Sequence, residues 1–217
     1  MIIVISPHMD DAVLSLGQHI LEWKKQGKKV RVVTVFTKFG DGKNLPEYTA
    51  DYMEKSGFNS VVYFEKARVK EDVEAMEMMG VEWEHWDLVD AGFRGNYLTR
   101  EELLGGEIKK EDKELVEKIV EKIKKCGADE IYLPFGVGGH VDHWIVRTAG
   151  ERSRKNIKYY LESPYLWQRL NFIKYLKYFK KLKFPNREKD GFLKCYKSQY
   201  LLLKQNVWWP LIEIINY

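Results

Sequence analysis

Two short segments of the chain combine histidine and aspartate at a spacing suited to metal binding. His8 is followed three residues later by Asp11, and His140 is followed three residues later by His143. Side chains three positions apart at a helix start share one face, so each pair can direct two donor atoms toward one point. Two histidines and one carboxylate around an open position are typical of catalytic zinc sites, whereas structural sites prefer four cysteine or histidine ligands. We therefore predict that the two pairs converge on one catalytic metal ion.

A further aspartate lies inside each pair. Asp10 lies between the first two candidate ligands, where a carboxylate can accept the proton of an attacking water molecule. Asp142 lies between the two histidines of the second pair and is suited to orient a ligand or a catalytic histidine through a hydrogen bond. The combined pattern indicates metal-assisted hydrolysis.

Each segment also has a purely structural interpretation. The run from His8 to Asp11 could cap a helix, with an aspartate accepting backbone N–H groups. Gly138 and Gly139, which precede His140, could simply form a turn. Two independent structural features need not both carry histidine at the end of a strand, so their joint occurrence favours the metal site.

The elements that must position these segments follow an α/β pattern. Ile2 to Ile5 has no polar member, which is typical of a buried parallel strand. Helical spacing from Ala12 to Gln26 and an apolar strand from Val30 to Phe36 complete a right-handed βαβ unit. A strand from Glu130 to Pro134 precedes the second segment. Both segments therefore follow strands, at the edge of the sheet where open α/β folds collect catalytic groups.

The remaining predicted elements extend this pattern. The spacing predicts two more helices and one edge-type strand, over Lys66 to Met79, Lys113 to Lys125 and Val81 to Val89. No G-x-G-x-x-G turn follows the first strand, which argues against a nucleotide-binding Rossmann domain.

Composition describes an ordinary globular chain. Its 217 residues fit one α/β domain spanning 1–217. Cys126 and Cys195 are far apart and lack metal-type spacing, so they do not indicate a disulfide framework. No apolar run reaches the roughly 18 residues of a membrane span, and Met1 leads directly into the first strand without a signal-peptide pattern. We expect a cytoplasmic protein.

The last third, from about residue 159, is rich in aromatic residues and lysines. Its simplest interpretation is a basic α+β part of the same domain, with lysine stems lying along apolar surface. The alternative is a surface that meets anionic lipid head groups or a lipid-linked substrate. The formal net charge of +4 is too small to indicate a nucleic-acid partner.

The two histidine segments resemble the signatures of the zinc-dependent PIG-L or LmbE-like de-N-acetylases. The first reads SPHMDDAVLS over residues 6–15, close to one branch of that family, and the second reads GGHVDH over residues 138–143. Between them, Arg68 and Glu71 match an Arg-x-x-Glu helix start, and Asp90 to Arg94 match a D-A-x-(Y/F)-R stretch. Near the C-terminus, Lys197-Ser198-Gln199 matches a further family element.

The resemblance implies a Rossmann-like three-layer αβα sandwich with a mostly parallel sheet, and a role for each site residue. The implied zinc ligands are His8, Asp11 and His143. Asp10 is implied as general base, His140 as the group that stabilises the oxyanion or protonates the leaving amine, and Asp142 as the support of His140. Arg68 and Asp90 match sugar-contacting positions, and Arg94 is a weaker candidate for binding an anionic group of the substrate.

The resulting hypothesis is a zinc hydrolase that removes the acetyl group from an N-acetylglucosamine-type sugar or sugar conjugate, with another divalent metal as an alternative to zinc. A second hypothesis is an amidase acting on another sugar conjugate. A third is a non-catalytic module that binds metal or sugar. Folds of this kind often form multimers, so a homo-oligomer also stays open.

Overall fold

A seven-stranded sheet forms the centre of the computed structural model, which describes residues 1–153, 156–168, 175, 181–183, 186–206 and 213–216. The strands are β1 Ile2–Ser6, β2 Val30–Lys38, β3 Glu82–Val89, β4 Glu130–Pro134, β5 Ile157–Tyr160, β6 Lys181–Lys183 and β7 Glu213–Asn216. Their order in the sheet is β3-β2-β1-β4-β5-β7-β6. The strands β1 to β5 pair in parallel, and β7 is antiparallel to both β5 and β6.

Helices flank both faces of this sheet. In chain order they are α1 Asp11–Lys25, α2 Glu47–Lys55, α3 Val61–Met79, α4 Ala91–Arg94, α5 Arg100–Leu103, α6 Lys113–Lys125, α7 Val141–Ser153, α8 Tyr165–Gln168, α9 Arg187–Leu193 and α10 Lys197–Asn206, with a 3-10 turn at Lys110–Asp112 before α6.

The central strand β1 separates two hydrophobic layers. Successive side chains of a strand point to opposite faces, and accordingly Ile2 and Val4 pack in a cluster with α1, α3 and α9, while Ile3 and Ile5 pack in a cluster with α6 and α7. All five residues of β1 are buried. The expected three-layer αβα sandwich with a mostly parallel sheet is confirmed.

The predicted elements compare closely with this structure. The helix over Lys113–Lys125 and the strand over Glu130–Pro134 have the predicted bounds, and β3 lies at an edge of the sheet as expected. The helix predicted from Lys66 begins earlier, at Val61. Helix α7 begins at Val141, so the second histidine segment spans the end of a loop and the start of a helix.

Chain reversal places the functional segments together. From β1 the chain builds β2 and β3 on one side and then returns to place β4 and β5 on the other. The switch point lies between β1 and β4, whose C-terminal ends therefore open a crevice between the loops that follow them. Both histidine segments follow these two strands.

The described portion of the aromatic and basic C-terminal part extends this sheet with β5, β6 and β7 and adds α8, α9 and α10. Residues 169–174 and 176–180, on which the lipid-surface interpretation largely depends, lie outside the described residues. Within the described ranges, no helix has both the length and the apolar character needed to cross a bilayer.

Candidate active site

A cleft of about 610 Å³ lies over the C-terminal ends of β1 and β4. This volume is within the range of small-molecule sites. The residues at its floor include His8, Asp10, Asp11 and His140, and its walls include Arg68, Asp90 and several aromatic side chains. The two sequence-predicted segments therefore form parts of one concave site.

Three donor atoms converge at this floor. The distance from His8 Nδ1 to Asp11 Oδ2 is 3.1 Å, that from His143 Nε2 to the same oxygen is 3.2 Å, and the two ring nitrogens are 3.3 Å apart. His140 also lies close enough for its ring to be a fourth neighbour of a shared ion. The arrangement of two imidazoles and one carboxylate is a donor set that suits zinc.

The second ring nitrogen of each histidine in this triad faces a buried carboxylate. His8 Nε2 lies 3.1 Å from Asp142 Oδ2, and His143 Nδ1 lies 3.0 Å from Glu162 Oε1. A ring nitrogen that donates its proton outward leaves the opposite nitrogen free as a metal ligand. Both rings are therefore oriented so that the inner nitrogen, once it has lost its proton, would present its lone pair to a metal ion beside Asp11.

Electrostatics favour positive charge at the triad. Burial disfavours charge on His8, but hydrogen bonds to Asp11 and Asp142 raise its pKa well above the ordinary value. Burial likewise opposes charge on His143, and Asp11 and Glu162 nevertheless raise its pKa to about 9. Burial raises the pKa of Asp11, yet the two histidines hold that pKa far below its usual range. The same anionic surroundings would favour a divalent cation, so the residues present fit one.

Asp10 is not used as a helix cap. The backbone N–H of Ala12 donates to Ser6 Oγ at 3.0 Å, while the Asp10 side chain makes no capping hydrogen bond. Asp10 has a φ of 152°, which is unusual for a residue other than glycine. This backbone conformation accompanies a carboxylate that lines the cleft and accepts a 3.2 Å bond from Arg68 Nη2.

The environment of Asp10 suits a proton acceptor. Burial raises its pKa to about 6 against the opposing charge of Arg68. General bases work best when their pKa lies near the operating pH.

His140 is a neutral ring beside the triad. Its ring centroid is 4.6 Å from that of His8, and burial together with the charge of His8 lowers its pKa well below the ordinary value. The backbone N–H of Asp142 donates to His140 Nδ1 at 3.2 Å. In a neutral ring this bond leaves the proton on Nε2, which is then available as a hydrogen-bond donor.

The Asp142 carboxylate lies elsewhere than the sequence led us to expect. It was expected beside His140, but Oδ2 faces His8 and also accepts the N–H of Ala91 at 2.9 Å. Its other oxygen accepts a 2.7 Å bond from Arg94 Nη2. The Asp142 carboxylate is therefore placed to hold His8, whereas toward His140 it acts through its charge, and only the backbone N–H of Asp142 makes a hydrogen bond to that ring.

The three expected substrate contacts differ in their placement. Arg68 and Asp90 line the cleft; Arg68 is only 4% exposed, and Asp90 Oδ2 lies 3.5 Å from His8 Nε2. Arg94 is not among the lining residues, because its guanidinium pairs with Asp112 and Asp142. This pairing makes Arg94 a support of the Asp142 carboxylate, while its expected contact with the substrate stays a prediction.

Sequence reasoning missed Glu162, which is fully buried at the end of β5. Besides contacting His143, its carboxylate accepts the backbone N–H groups of Gly136 and Val137 at 2.6 and 3.2 Å. A polar Glu-Ser pair that begins two residues after the end of the strand Ile157–Tyr160 was the available signal. Like His8 and His140, Glu162 is a polar residue that follows the C-terminal end of a parallel strand, where sites in such sheets form.

Two separated family elements also meet at the wall of the cleft. Glu71 on α3 accepts the backbone N–H and the hydroxyl of Ser198 at 2.8 and 2.6 Å. Next to them, Tyr52 donates to Gln199 Oε1 at 2.6 Å. The Lys-Ser-Gln element therefore fastens α10 to the helix that carries Arg68.

Comparison with known proteins agrees with this geometry. A 2'-N-acetylparomamine deacetylase of Niallia circulans is 29% identical over 188 residues, which cover 77% of this chain and 68% of the relative. An enzyme of the same name from Streptomyces fradiae is 29% identical over 148 residues, or 68% of this chain, and the match spans only half of that relative's length (50%).

A solved structure shows the same fold over almost the whole chain. The zinc-inhibited form of a teicoplanin deacetylase superposes with a TM-score of 0.74 at 21% identity, covering 94% of this chain and 86% of the other. The family model described as PIG-L, GlcNAc-PI de-N-acetylase, matches residues 3–153, which include both histidine segments, Arg68, Asp90 and Arg94. The chain belongs to the PIG-L family.

Proposed function

We propose that this protein is a metal-dependent de-N-acetylase that hydrolyses the N-acetyl group of an N-acetylglucosamine-type sugar or sugar conjugate. The observation that carries the proposal is the convergence of His8 Nδ1, Asp11 Oδ2 and His143 Nε2 within 3.1–3.3 Å of one another, beside Asp10 in a cleft. These three residues would hold the ion, with zinc as the preferred metal. When bound there, the ion would polarise the amide carbonyl and make water more acidic.

The residues of the chain then supply the proton transfers. Asp10 accepts a proton from the water that attacks the amide carbon, and the 3.2 Å bond from Arg68 holds the carboxylate in place for this transfer. His140 Nε2–H donates to the oxygen that becomes negative in the tetrahedral state. The C–N bond then breaks, the amide nitrogen takes up the proton that Asp10 had accepted, and acetate and a free amine leave.

The walls of the cleft support a substrate with both polar and apolar surfaces. Arg68 and Asp90 offer charged hydrogen-bonding groups beside the reacting centre. Phe39 and Phe93 lie stacked at 4.2 Å between centroids along the same cleft, and aromatic faces are suited to sugar rings and other flat apolar groups. The names of the relatives, which specify an acetylated aminoglycoside and a glycopeptide, support a sugar conjugate as substrate.

Acetate release tests this function. We expect protein reconstituted with one equivalent of zinc to release acetate from at least one member of a panel of free, nucleotide-linked, lipid-linked and aminoglycoside N-acetyl sugars. A chelated sample should lose that activity and regain it when zinc returns. Zinc must be titrated rather than supplied in excess, because a similar deacetylase has a zinc-inhibited form. Tight zinc binding without release of acetate or of any other acyl group would instead favour a non-catalytic binding module.

Glu162 offers an independent test of the metal site. Replacing Glu162 with Gln removes the charge that orients His143 while keeping a similar shape, so we expect zinc affinity to fall about 10- to 100-fold. Competition with a chromogenic chelator measures this affinity directly. Glu151→Gln, at an exposed glutamate paired with Arg147 on α7, is the matched control and should bind zinc as the unmodified protein does. Unchanged affinity in Glu162→Gln would show that the charge of Glu162 does not support His143 as a metal ligand.

A further inference from the structure

We propose that Tyr165 is a further catalytic residue, whose hydroxyl donates a hydrogen bond to the acetyl oxygen as it becomes negative. This inference rests on the proposed de-N-acetylase function and adds a donor that neither histidine segment contains. Three observations carry it: the position of the phenol ring, the space made for that ring, and a hydroxyl without a hydrogen-bond partner among the described residues.

The ring of Tyr165 lies directly against the catalytic histidines. Its centroid is 5.5 Å from that of His143 in an edge-to-face arrangement and 6.5 Å from that of His140. Tyr165 begins α8, three residues after Glu162, which is itself bonded to His143. The backbone N–H of Ser163, between them, donates to Ser15 Oγ on α1 at 3.1 Å. The phenol therefore directly follows a segment that is hydrogen-bonded to His143 on α7 and to Ser15 on α1.

Gly138 makes the space that this ring occupies. A Cβ atom on Gly138 would lie 2.6 Å from Cβ, Cγ and Cδ1 of Tyr165, far inside normal contact distance. Gly138 also has a φ of +88°, which disfavours any other residue. The first glycine of the G-G-H-V-D-H motif thus allows an aromatic ring from α8 to approach His140, in addition to forming a turn.

The hydroxyl of Tyr165 differs from those of two other tyrosines lining the same cleft, which are both hydrogen-bonded. Tyr48 donates to the carbonyl oxygen of Tyr97 at 2.9 Å, and Tyr52 donates to Gln199 Oε1 at 2.6 Å. The Tyr165 hydroxyl has no hydrogen-bond partner among the residues that the structure describes. Tyr165 lines the cleft together with His8, Asp10 and His140, so its ring lies beside the proposed reacting centre.

A neutral hydroxyl at this position can stabilise developing negative charge without transferring a proton. The bond strengthens as the carbonyl oxygen gains charge, so it lowers the barrier more than it favours substrate binding. Loss of one such donor typically costs about 10²–10³ in kcat. His140 would supply the companion donor in the same step.

Tyr165→Phe tests the role, because it removes only the oxygen atom. With the substrate and zinc level established for the unmodified enzyme, we expect kcat to fall about 100-fold, with KM within about twofold and zinc content unchanged. Tyr159→Phe is the matched control. This tyrosine lies on β5, outside the cleft, and its hydroxyl donates a 2.9 Å hydrogen bond to Glu151 Oε1. It should keep full activity.

A second substrate distinguishes an oxyanion donor from a structural residue. N-trifluoroacetyl sugars need less help in stabilising the tetrahedral oxygen, so the loss in Tyr165→Phe should be clearly smaller with them than with the N-acetyl sugar. An equal loss on both substrates, a raised KM with unchanged kcat, or no loss would each overturn the proposal. An unmodified enzyme that releases no acetate would instead contradict the proposed function itself.

Discussion

Asp10→Asn should lower kcat by about 10²–10⁴ while zinc content stays at the level of the unmodified protein. The amide keeps the size of the carboxylate, and its oxygen can still accept from Arg68, but it can no longer take the proton of the attacking water. Asp10 is not one of the three converging donors, so the metal affinity has no reason to change. Acetate release at saturating substrate, measured beside metal analysis of the same sample, separates the two effects.

The control for this change is Asp41→Asn. Asp41 lies in the loop after β2, where its carboxylate accepts the N–H of Lys43 at 3.0 Å, and it does not line the cleft. The Asp41→Asn variant should release acetate at the same rate as the unmodified enzyme. An Asp10→Asn variant that holds zinc and retains more than about one tenth of kcat would show that another group takes the proton, with His140 as the next candidate.

The convergence of the two histidine segments was predictable because it depends on sheet topology. Strands that are mainly apolar are buried on both faces, and the chemistry-bearing residues lie in the segments that follow β1 and β4. Neighbouring parallel strands bring their C-terminal ends to one edge, so His8, Asp11 and His143 approach each other for reasons visible in the apolar runs and the residues after them. The family resemblance then assigned these three residues, rather than His140, to the metal.

Side-chain direction could not be read in the same way. Asp142 and His140 are two positions apart, yet the Asp142 carboxylate turns toward His8, because Arg94 and the N–H of Ala91 hold it there. That arrangement depends on contacts across 48 and 51 positions of sequence. Arg94 was expected at the substrate from the family resemblance. No local sequence pattern shows that two buried aspartates pair with its guanidinium.

The C-terminal part was the least predictable region because its contacts are the longest in sequence. Lys189 on α9, Glu213 on β7 and His19 on α1 are at most 1% exposed and form one buried network. Lys189 Nζ donates to Glu213 Oε1 at 2.8 Å, and Glu213 Oε2 lies 2.8 Å from His19 Nδ1. The family model ends at residue 153, so residues beyond it hold the helix that begins with Asp11.

Lys189→Met should destabilise the protein by about 3–5 kcal/mol, because it leaves the Glu213 carboxylate buried without its cation. Burial raises the pKa of Glu213, but Lys189 and His19 outweigh it and hold that pKa below the ordinary value, so the carboxylate is charged at neutral pH. Urea unfolding at pH 7 measures the loss as a lower midpoint with an unchanged slope. A slope that also changes would mean that the variant alters the compactness of the native or unfolded state, or that unfolding is no longer two-state.

Two companion variants identify the cause as the uncompensated charge. Adding Glu213→Gln to Lys189→Met removes the buried charge, so the double variant should recover a substantial part of the lost stability. Lys25→Met removes a surface pair with Glu188, whose side chains are 68% and 51% exposed, and should leave the midpoint nearly unchanged. If the double variant is instead no more stable than Lys189→Met, packing of the lysine stem and its 2.7 Å bond to the Leu14 carbonyl stabilise the junction. Helix α1 would then be held to the C-terminal part by shape and hydrogen bonding rather than by charge.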